Sequence, residues 1–267
     1  MVFGGGSRRL EVLLELRDKF TAGMKTAAGA TDGLLSALNK AKPALLAISG
    51  LAAGVGGASL KLASDLEQAR GRAVSTFGDA SAVIAEFAAS SAQSFGLSQR
   101  AASDYASGLG NILNAAGFAG DASAGMSVQL VKMAVDLAAF NDIPVDEALG
   151  KLQAGLTGAE RPLRELGILM SEGKVQAAAY RLGIADVGAE LSEGQKIQAR
   201  YAVLLAEGNK AQGAFAESSK TVAAQMQIAK AQFEDAAASL GTALLPVTAK
   251  ALEVLTKVAK VVTGLPQ

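Results

Sequence analysis

The chain has 267 residues, and its 25 lysine and arginine residues balance its 25 aspartate and glutamate residues. This neutral balance argues against a nucleic-acid binder, whose affinity depends on a basic surface that neutralises phosphates. Because the sequence contains neither cysteine nor histidine, it excludes disulfides, metal sites made of those ligands, and catalysis by a histidine general base.

The composition predicts an all-α protein. Half of the residues are hydrophobic but only 4% are aromatic, so the apolar content is mainly alanine, leucine and valine, and the first two are strong helix formers. The alternation typical of strands does not persist anywhere. We expect a multi-helix domain with short turns punctuated by Gly and Pro over residues 62–246. Extended or coiled-coil helices would flank it, over residues 1–42 and 247–267, with an uncharged hydrophobic segment at 43–61.

Residues 8–42 have the spacing of a coiled-coil helix. An apolar side chain recurs every seven residues, at Leu13, Phe20, Ala27, Leu34 and Ala41. Such a repeat favours pairing with another helix, and we take Leu13, Phe20 and Leu34 as candidate residues of an oligomer seam. A single amphipathic helix packed on its own domain explains the same pattern equally well.

Residues 43–60, "PALLAISGLAAGVGGASL", carry no charge. As a helix they would reach roughly 27 Å, close to the thickness of a bilayer core. Gly50 and Gly54 have the small-xxx-small spacing of closely packed membrane helices. Because glycines dilute the apolar residues, we favour a buried helix or hairpin, or a transient membrane contact, over a resting span. The candidate membrane-active residues are Leu45, Leu46, Ile48, Gly50, Leu51, Gly54 and Val55.

Local signals divide the rest of the chain into successive helices. Gly78 and Asp79 interrupt the helical pattern of residues 61–95. In "FGLS", Gly96 is suited to end one helix and Ser98 to cap the next.

Other signals mark helix starts further along the chain. Ser192 and Gln195 form a capping-box signature. Pro144 and Pro162 suit first-turn positions of helices.

The stretch "QAGLTGAERPLRELGILMSEGKV", residues 153–175, predicts a fixed corner between helices. We expect Gly155 and Gly158 to end one helix, Pro162 to start a short one, and Gly167 to let it turn. The apolar side chains that this corner would bury are Leu163, Leu166, Ile168 and Leu169.

Residues 215–243 form another long helical pattern, which we expect to stop at Gly241 and Pro246. The pattern consists of Phe215, Val222, Met226, Ala229, Phe233, Ala237 and Leu240.

The tail, residues 247–263, predicts a separate coiled-coil helix, with a basic amphipathic helix as the less favoured interpretation. Its candidate seam residues are Leu252, Leu255 and Val262, together with Ala259.

The motifs of phosphate-binding, dinucleotide-binding and catalytic sites do not fit this sequence. "GILMSEGKV" has one residue too many for a phosphate loop, and Val175 stands where the magnesium-binding Ser or Thr would be. "GVGGAS" lacks the last glycine of a dinucleotide fingerprint. Ser219 and Lys220 are helix neighbours that point about 100° apart, so they make a poor catalytic dyad. We therefore expect neither an enzyme nor a bound cofactor.

The order of four segments resembles the core region of tape measure proteins of bacteriophage tails. These are "LASDLEQARGRAVSTFG", the long block "VDLAAFNDIPVDEALGKLQAGLTGAERPLRELGILMSEGKV", "KIQARYAVLLAEGNKAQGAFAESSKTVAAQM" and "FEDAAASLGTALLPV". The resemblance covers about residues 62–247. It departs from the family at Ala214, where members often have Asp, and family members usually continue much further beyond this core.

The resemblance implies a mechanical role. Copies of such a protein lie as a bundle, suggested to be three-fold, in the lumen of the virion tail tube, after a stage in the host cytoplasm during assembly. Their length sets tail length, and they assist genome ejection. The implied partners are further copies of the chain, the tail tube protein, tail assembly chaperones, distal tail or tip proteins, and, transiently, the host inner membrane. Specific nucleic-acid binding is not expected. The alternative is a membrane-inserting, pore-forming helical protein that uses residues 43–60.

Overall fold

The computed structural model describes the backbone of residues 57–263 and the side-chain surroundings of residues 58–243. Of the described part, 81% is helical, and it contains no strand. The predicted all-α, multi-helix fold is therefore confirmed.

The helices follow one another with short connections. In chain order they are α1 (Gly57–Phe77), α2 (Ser81–Phe95), α3 (Gln99–Ala115), α4 (Gly120–Asn141), α5 (Val145–Leu156), α6 (Glu160–Glu165), α7 (Glu172–Arg181), α8 (Glu193–Gly208), α9 (Ala214–Ser218) and α10 (Val222–Thr263). Two 3₁₀ turns, Gly78–Ala80 and Asn209–Ala211, link α1 to α2 and follow α8.

Helix α4 is the centre of the fold. It packs against α2, α3, α5, α8 and α9. Its residues Leu130, Val131, Ala134 and Val135 are fully buried, and because successive residues are about 100° apart they cover much of the helix circumference. A helix that is apolar nearly all round must be enclosed by others, and α4 obtains that enclosure from helices before and after it in the chain.

The predicted signals around residues 78–98 are confirmed. The break at Gly78 and Asp79 is the first 3₁₀ turn. Gly96 ends α2 in the left-handed conformation, and the hydroxyl of Ser98 accepts a hydrogen bond from the amide of Ala101 at the start of α3.

The signals at later helix starts are confirmed in part. Ser192 and Gln195 make the reciprocal hydrogen bonds of a capping box. Pro162 is the third residue of α6, as a first-turn position requires. Pro144, however, is the N-cap of α5, one residue before the predicted first turn, because its extended backbone carries the chain into the helix.

The prediction of one long helical stretch over residues 215–243 is wrong at both ends. Phe215 belongs to the separate short helix α9, and α10 begins only at Val222. Neither Gly241 nor Pro246 ends α10, which runs for 42 residues to Thr263. Proline removes one backbone hydrogen bond and costs about 3 kcal/mol inside a helix, but the Ala- and Leu-rich sequence on both sides strongly favours helix. The expected separate tail helix is thus the second half of α10.

A carboxylate on the central helix positions the segment that leads into α10. Asp136 accepts hydrogen bonds from the amides of Gly213 and Phe215, at 3.0 and 3.2 Å, one on each oxygen. Amides at the start of a helix lack partners within that helix, and a carboxylate there satisfies them and favours the positive end of the helix dipole. Asp136 thereby fixes α9, whose Phe215 is buried in the core.

We expect Asp136→Ala to lower the free energy of unfolding by about 2 kcal/mol, because two amides lose a charged acceptor. Urea denaturation followed by circular dichroism measures the change. Glu86→Ala, at an exposed position of α2, is the matched control and should leave the free energy of unfolding nearly unchanged. Equal effects of the two substitutions would contradict this role of Asp136.

Candidate functional site

The described residues include only some of the sequence-predicted site residues. The first part of the proposed seam, Leu13, Phe20 and Leu34, lies outside them, as does the candidate membrane segment Leu45 to Val55. For the second part of the seam, Leu252, Leu255 and Val262, the structure describes only the backbone, which is helical. The four residues of the predicted corner are fully described.

The corner consists of two helix ends that follow each other closely. After α5, Gly158 has a φ of 104° and the amide of Ala159 donates to the carbonyl of Ala154. After α6, Gly167 has a φ of 75° and the amide of Ile168 donates to the carbonyl of Leu163. Both are helix ends in which a left-handed residue lets a later amide reach back to an otherwise unpaired carbonyl. Such φ values strain residues with a Cβ.

Gly155 has a different role from the one expected. It lies inside α5, which continues to Leu156. A Cβ at Gly155 would stand 2.4 Å from Cδ1 of Leu163, so the missing side chain lets α6 lie directly on α5. Leu163, Leu166 and Ile168 are buried as predicted, whereas Leu169 is 60% exposed, because the chain after Gly167 turns that side chain outward.

Ionic contacts also join the two helices of the corner. The Lys151 ammonium on α5 lies 2.7 Å from a carboxylate oxygen of Glu147 and 3.0 Å from one of Glu165 on α6. Hydrogen bonds to these two glutamates raise the pKa of Lys151. The Arg200 guanidinium on α8 donates to the carbonyl of Leu156 at 3.3 Å. Lys151 therefore joins α5 to α6, and Arg200 joins α8 to the end of α5.

Helix α10 is fixed to the rest of the domain along one side. Ala224 and Ile228 join the buried core, and the helix packs on α2 and α3. The carboxylate of Asp235 accepts a hydrogen bond from the Gln99 amide at 2.8 Å, at the start of α3. Gln232 donates to the side chain of Gln93 at 2.6 Å.

The opposite side of α10 is apolar and exposed, and we call it the outer face. Its large side chains Val222, Met226, Phe233 and Leu240 are 77%, 68%, 72% and 61% exposed. Ala229, Ala236 and Ala243 lie between them and are also exposed. Sequence reasoning found most of this spacing but did not recognise a surface, because spacing alone does not tell which side of a helix the domain covers.

A small cavity and an open groove lie among the described residues. A cavity of about 10 Å³ near Leu66, Ser98 and Asp235 is at the lower limit for one water molecule. A polar groove between α1 and α3 is open to solvent beside Arg72 and Asn111. Among the residues that the structure describes, no cluster of acidic side chains could hold a metal ion, and no helix is long and apolar enough to cross a bilayer.

No protein-family model, curated protein or solved structure matches this chain.

Two alanine substitutions in α5 should have opposite effects. Gly155→Ala should lower the free energy of unfolding by about 1 to 3 kcal/mol, because the new methyl group overlaps Leu163. Gly150→Ala should raise it by about 0.5 to 1 kcal/mol, because that exposed helical site has open space and alanine favours helix. Thermal and urea denaturation measure both. Stabilisation by Gly155→Ala would contradict the close contact of α5 and α6.

The attachment of α10 should depend on pH through Asp235. Burial raises the pKa of Asp235, although the Gln99 amide favours the charged form. When the pKa of a carboxyl is higher in the folded than in the unfolded chain, ionisation of that carboxyl destabilises the fold. The loss of stability begins near the ordinary Asp pKa, about 4, and is complete once the pH exceeds the raised pKa. Asp235→Asn keeps an oxygen for the Gln99 amide but carries no charge.

We therefore expect Asp235→Asn to be more stable than the original chain at pH 7, and the difference to vanish below about pH 3, where the carboxyl is protonated in both states. Urea denaturation at several pH values provides the measurement. Glu86→Gln, on the exposed side of α2, controls for the loss of a surface charge. A stability of Asp235→Asn below that of the original chain at pH 7 would refute the expectation.

Proposed function

We propose that the chain is the core region of a phage or prophage tail tape measure protein. In this role it is a structural component of the tail lumen that sets tail length during assembly and assists genome ejection. The observation that carries the proposal is the long helix α10. Its 42 residues extend over roughly 63 Å. Within the part of α10 whose side chains the structure describes, up to residue 243, hydrogen bonds from Gln227, Gln232 and Asp235 tie it to α2, the turn after α2 and the start of α3.

The shape of the described part supports this role. A compact set of short helices with one long helix combines a docking body with an extended spacer, and a spacer requires length rather than a reactive group. The first segment of the resemblance lies in α1 and at the start of the turn after it, the long block contains the corner, and the last segment lies within α10.

The proposal assigns no catalysis and no cofactor to the chain. Its partners would be further copies, the tail tube protein, tail assembly chaperones and the distal tail proteins. The tube would polymerise around the extended parts of the chain in the cytoplasm and enclose them in the tail lumen. Residues 43–60 would meet the host inner membrane only when the chain leaves the tube.

A length change in α10 tests the ruler. Duplication of residues 236–263 adds about 28 residues, which keep the heptad spacing and lengthen the helix by about 42 Å. If copies lie extended in the tube, tails of particles that carry this variant should lengthen by about the same amount, as measured by electron microscopy. Gly150→Ala, which changes no length, is the control and should give tails of the original length.

Tails of unchanged length that contain the elongated chain would refute the ruler role. A liposome leakage assay on the isolated chain addresses the pore-forming alternative. Strong leakage, together with the absence of the chain from tails, would favour a membrane-inserting protein instead.

A further inference from the structure

The outer face of α10 has a regular alternation of large and small side chains. Met226, Phe233 and Leu240 follow one another at seven-residue intervals, and Ala229, Ala236 and Ala243 do the same three residues later. In a coiled coil these two rows occupy the a and d positions that face a partner helix. From residue 226 to residue 243, every a position is therefore large and every d position is alanine, whereas Val222, seven residues before Ala229, is a larger residue at the start of the d row.

This alternation distinguishes between the two directions in which a second copy could pack. In a parallel pair, a residues meet a residues and d residues meet d residues, so layers of two large side chains would alternate with layers of two methyl groups. No single distance between the helices suits both layers, and the alanine layers would leave voids. In an antiparallel pair, each a residue meets a d residue, so every layer contains one large and one small side chain.

One antiparallel register matches all six side chains. It places Met226 opposite Ala243 of a second copy, Leu240 opposite Ala229, and Phe233 opposite Ala236. Alanine on one side of each layer lets the two backbones approach closely, while the large side chain fills the space beside it. The outer face is thus complementary to itself when one copy is reversed.

The area of the outer face is sufficient for a stable pair. From the exposed fractions of its large side chains, the face offers at most roughly 600 Å² of mostly apolar surface, so a pair that covered it completely would bury about 1,200 Å², the lower end of standard interfaces. A patch of this size is at the upper end of the largest apolar patches on typical monomers, and such patches are often functional. The rows beside the face contain one charge, Lys230, and otherwise alanine, glutamine and serine, so like charges do not oppose pairing.

We propose that the outer face of α10 binds the outer face of a second copy of this chain in antiparallel orientation. The contact side of α10, with Ala224, Ile228 and Asp235, points to its own domain, so the two domains lie on opposite sides of the helix pair. The proposal does not rest on the proposed function. If the chain has the proposed function, copies inside a tail tube share one direction because the tube has distinct ends, and the antiparallel pair is then the form of the free chain before assembly.

Disulfide cross-linking of the full chain tests the orientation. The sequence contains no cysteine, so every disulfide formed reports on introduced residues alone. Met226→Cys and Ala243→Cys chains, each oxidised alone and then as a mixture, should give a cross-linked pair mainly in the mixture. Ready cross-linking of each variant with itself would indicate a parallel arrangement and overturn the proposal.

Association measurements test the surface. Sedimentation equilibrium of the full chain should give a dimer at about 100 μM, and Phe233→Glu should weaken it by about 100-fold, because a charge would be buried in the central layer. Phe140→Glu is the matched control, since Phe140 is 62% exposed near the end of α4 and is not part of the outer face. It should change the dissociation constant less than about 3-fold.

Circular dichroism spectra identical to that of the original chain establish that both variants are folded. A monomer at every concentration would overturn the proposal, since the outer face would then be left uncovered or be covered by another part of the same chain. A dimer that withstands Phe233→Glu would overturn it as well, because association would then use a different surface.

Discussion

The central helix α4 has to be enclosed, and the arrangement of the domain follows from this requirement. Its leucine, valine and alanine side chains are buried around most of its circumference, so it is stable only when several helices surround it. Many of the buried residues are alanine, and such small side chains let helices approach closely. The turns bring α2, α3, α5, α8 and α9 against α4, while α6 packs on α5 and α7 packs on α8.

Two carboxylates in this fold connect one helix to the start of another through hydrogen bonds. The carboxylate of Asp136 on α4 accepts hydrogen bonds from backbone amides at the start of α9. The carboxylate of Asp235 on α10 accepts one from the first residue of α3. Each carboxylate satisfies amides that begin a helix and have no partner within it. Asp136 thus sets the point from which the chain enters α10, and Asp235 sets how α10 lies on the domain.

Much of the fold could be predicted from local sequence signals, whereas the candidate site could be predicted only in part. Gly96 with Ser98, and Ser192 with Gln195, mark helix ends through interactions within a few residues, which sequence reasoning captures well. The predicted helix end at Gly241 and Pro246 was wrong, because a helix break depends on the balance between a local energetic cost and the helix preference of the flanking residues. The predicted role of Gly155 as a helix end was wrong, because this glycine instead makes room for Leu163, which lies beside it only when α6 folds back on α5.

The sequence by itself determined that the protein is helical, neutral, and without thiol or imidazole chemistry, because composition and spacing act over short distances. It also contained the apolar spacing along residues 222–240. Only the tertiary structure decided that Ala224 and Ile228 face the core while Met226 and Phe233 face outward. A long helix made mostly of alanine can be buried on more than one side, and the choice depends on contacts from α2 and α3, more than a hundred residues earlier in the chain.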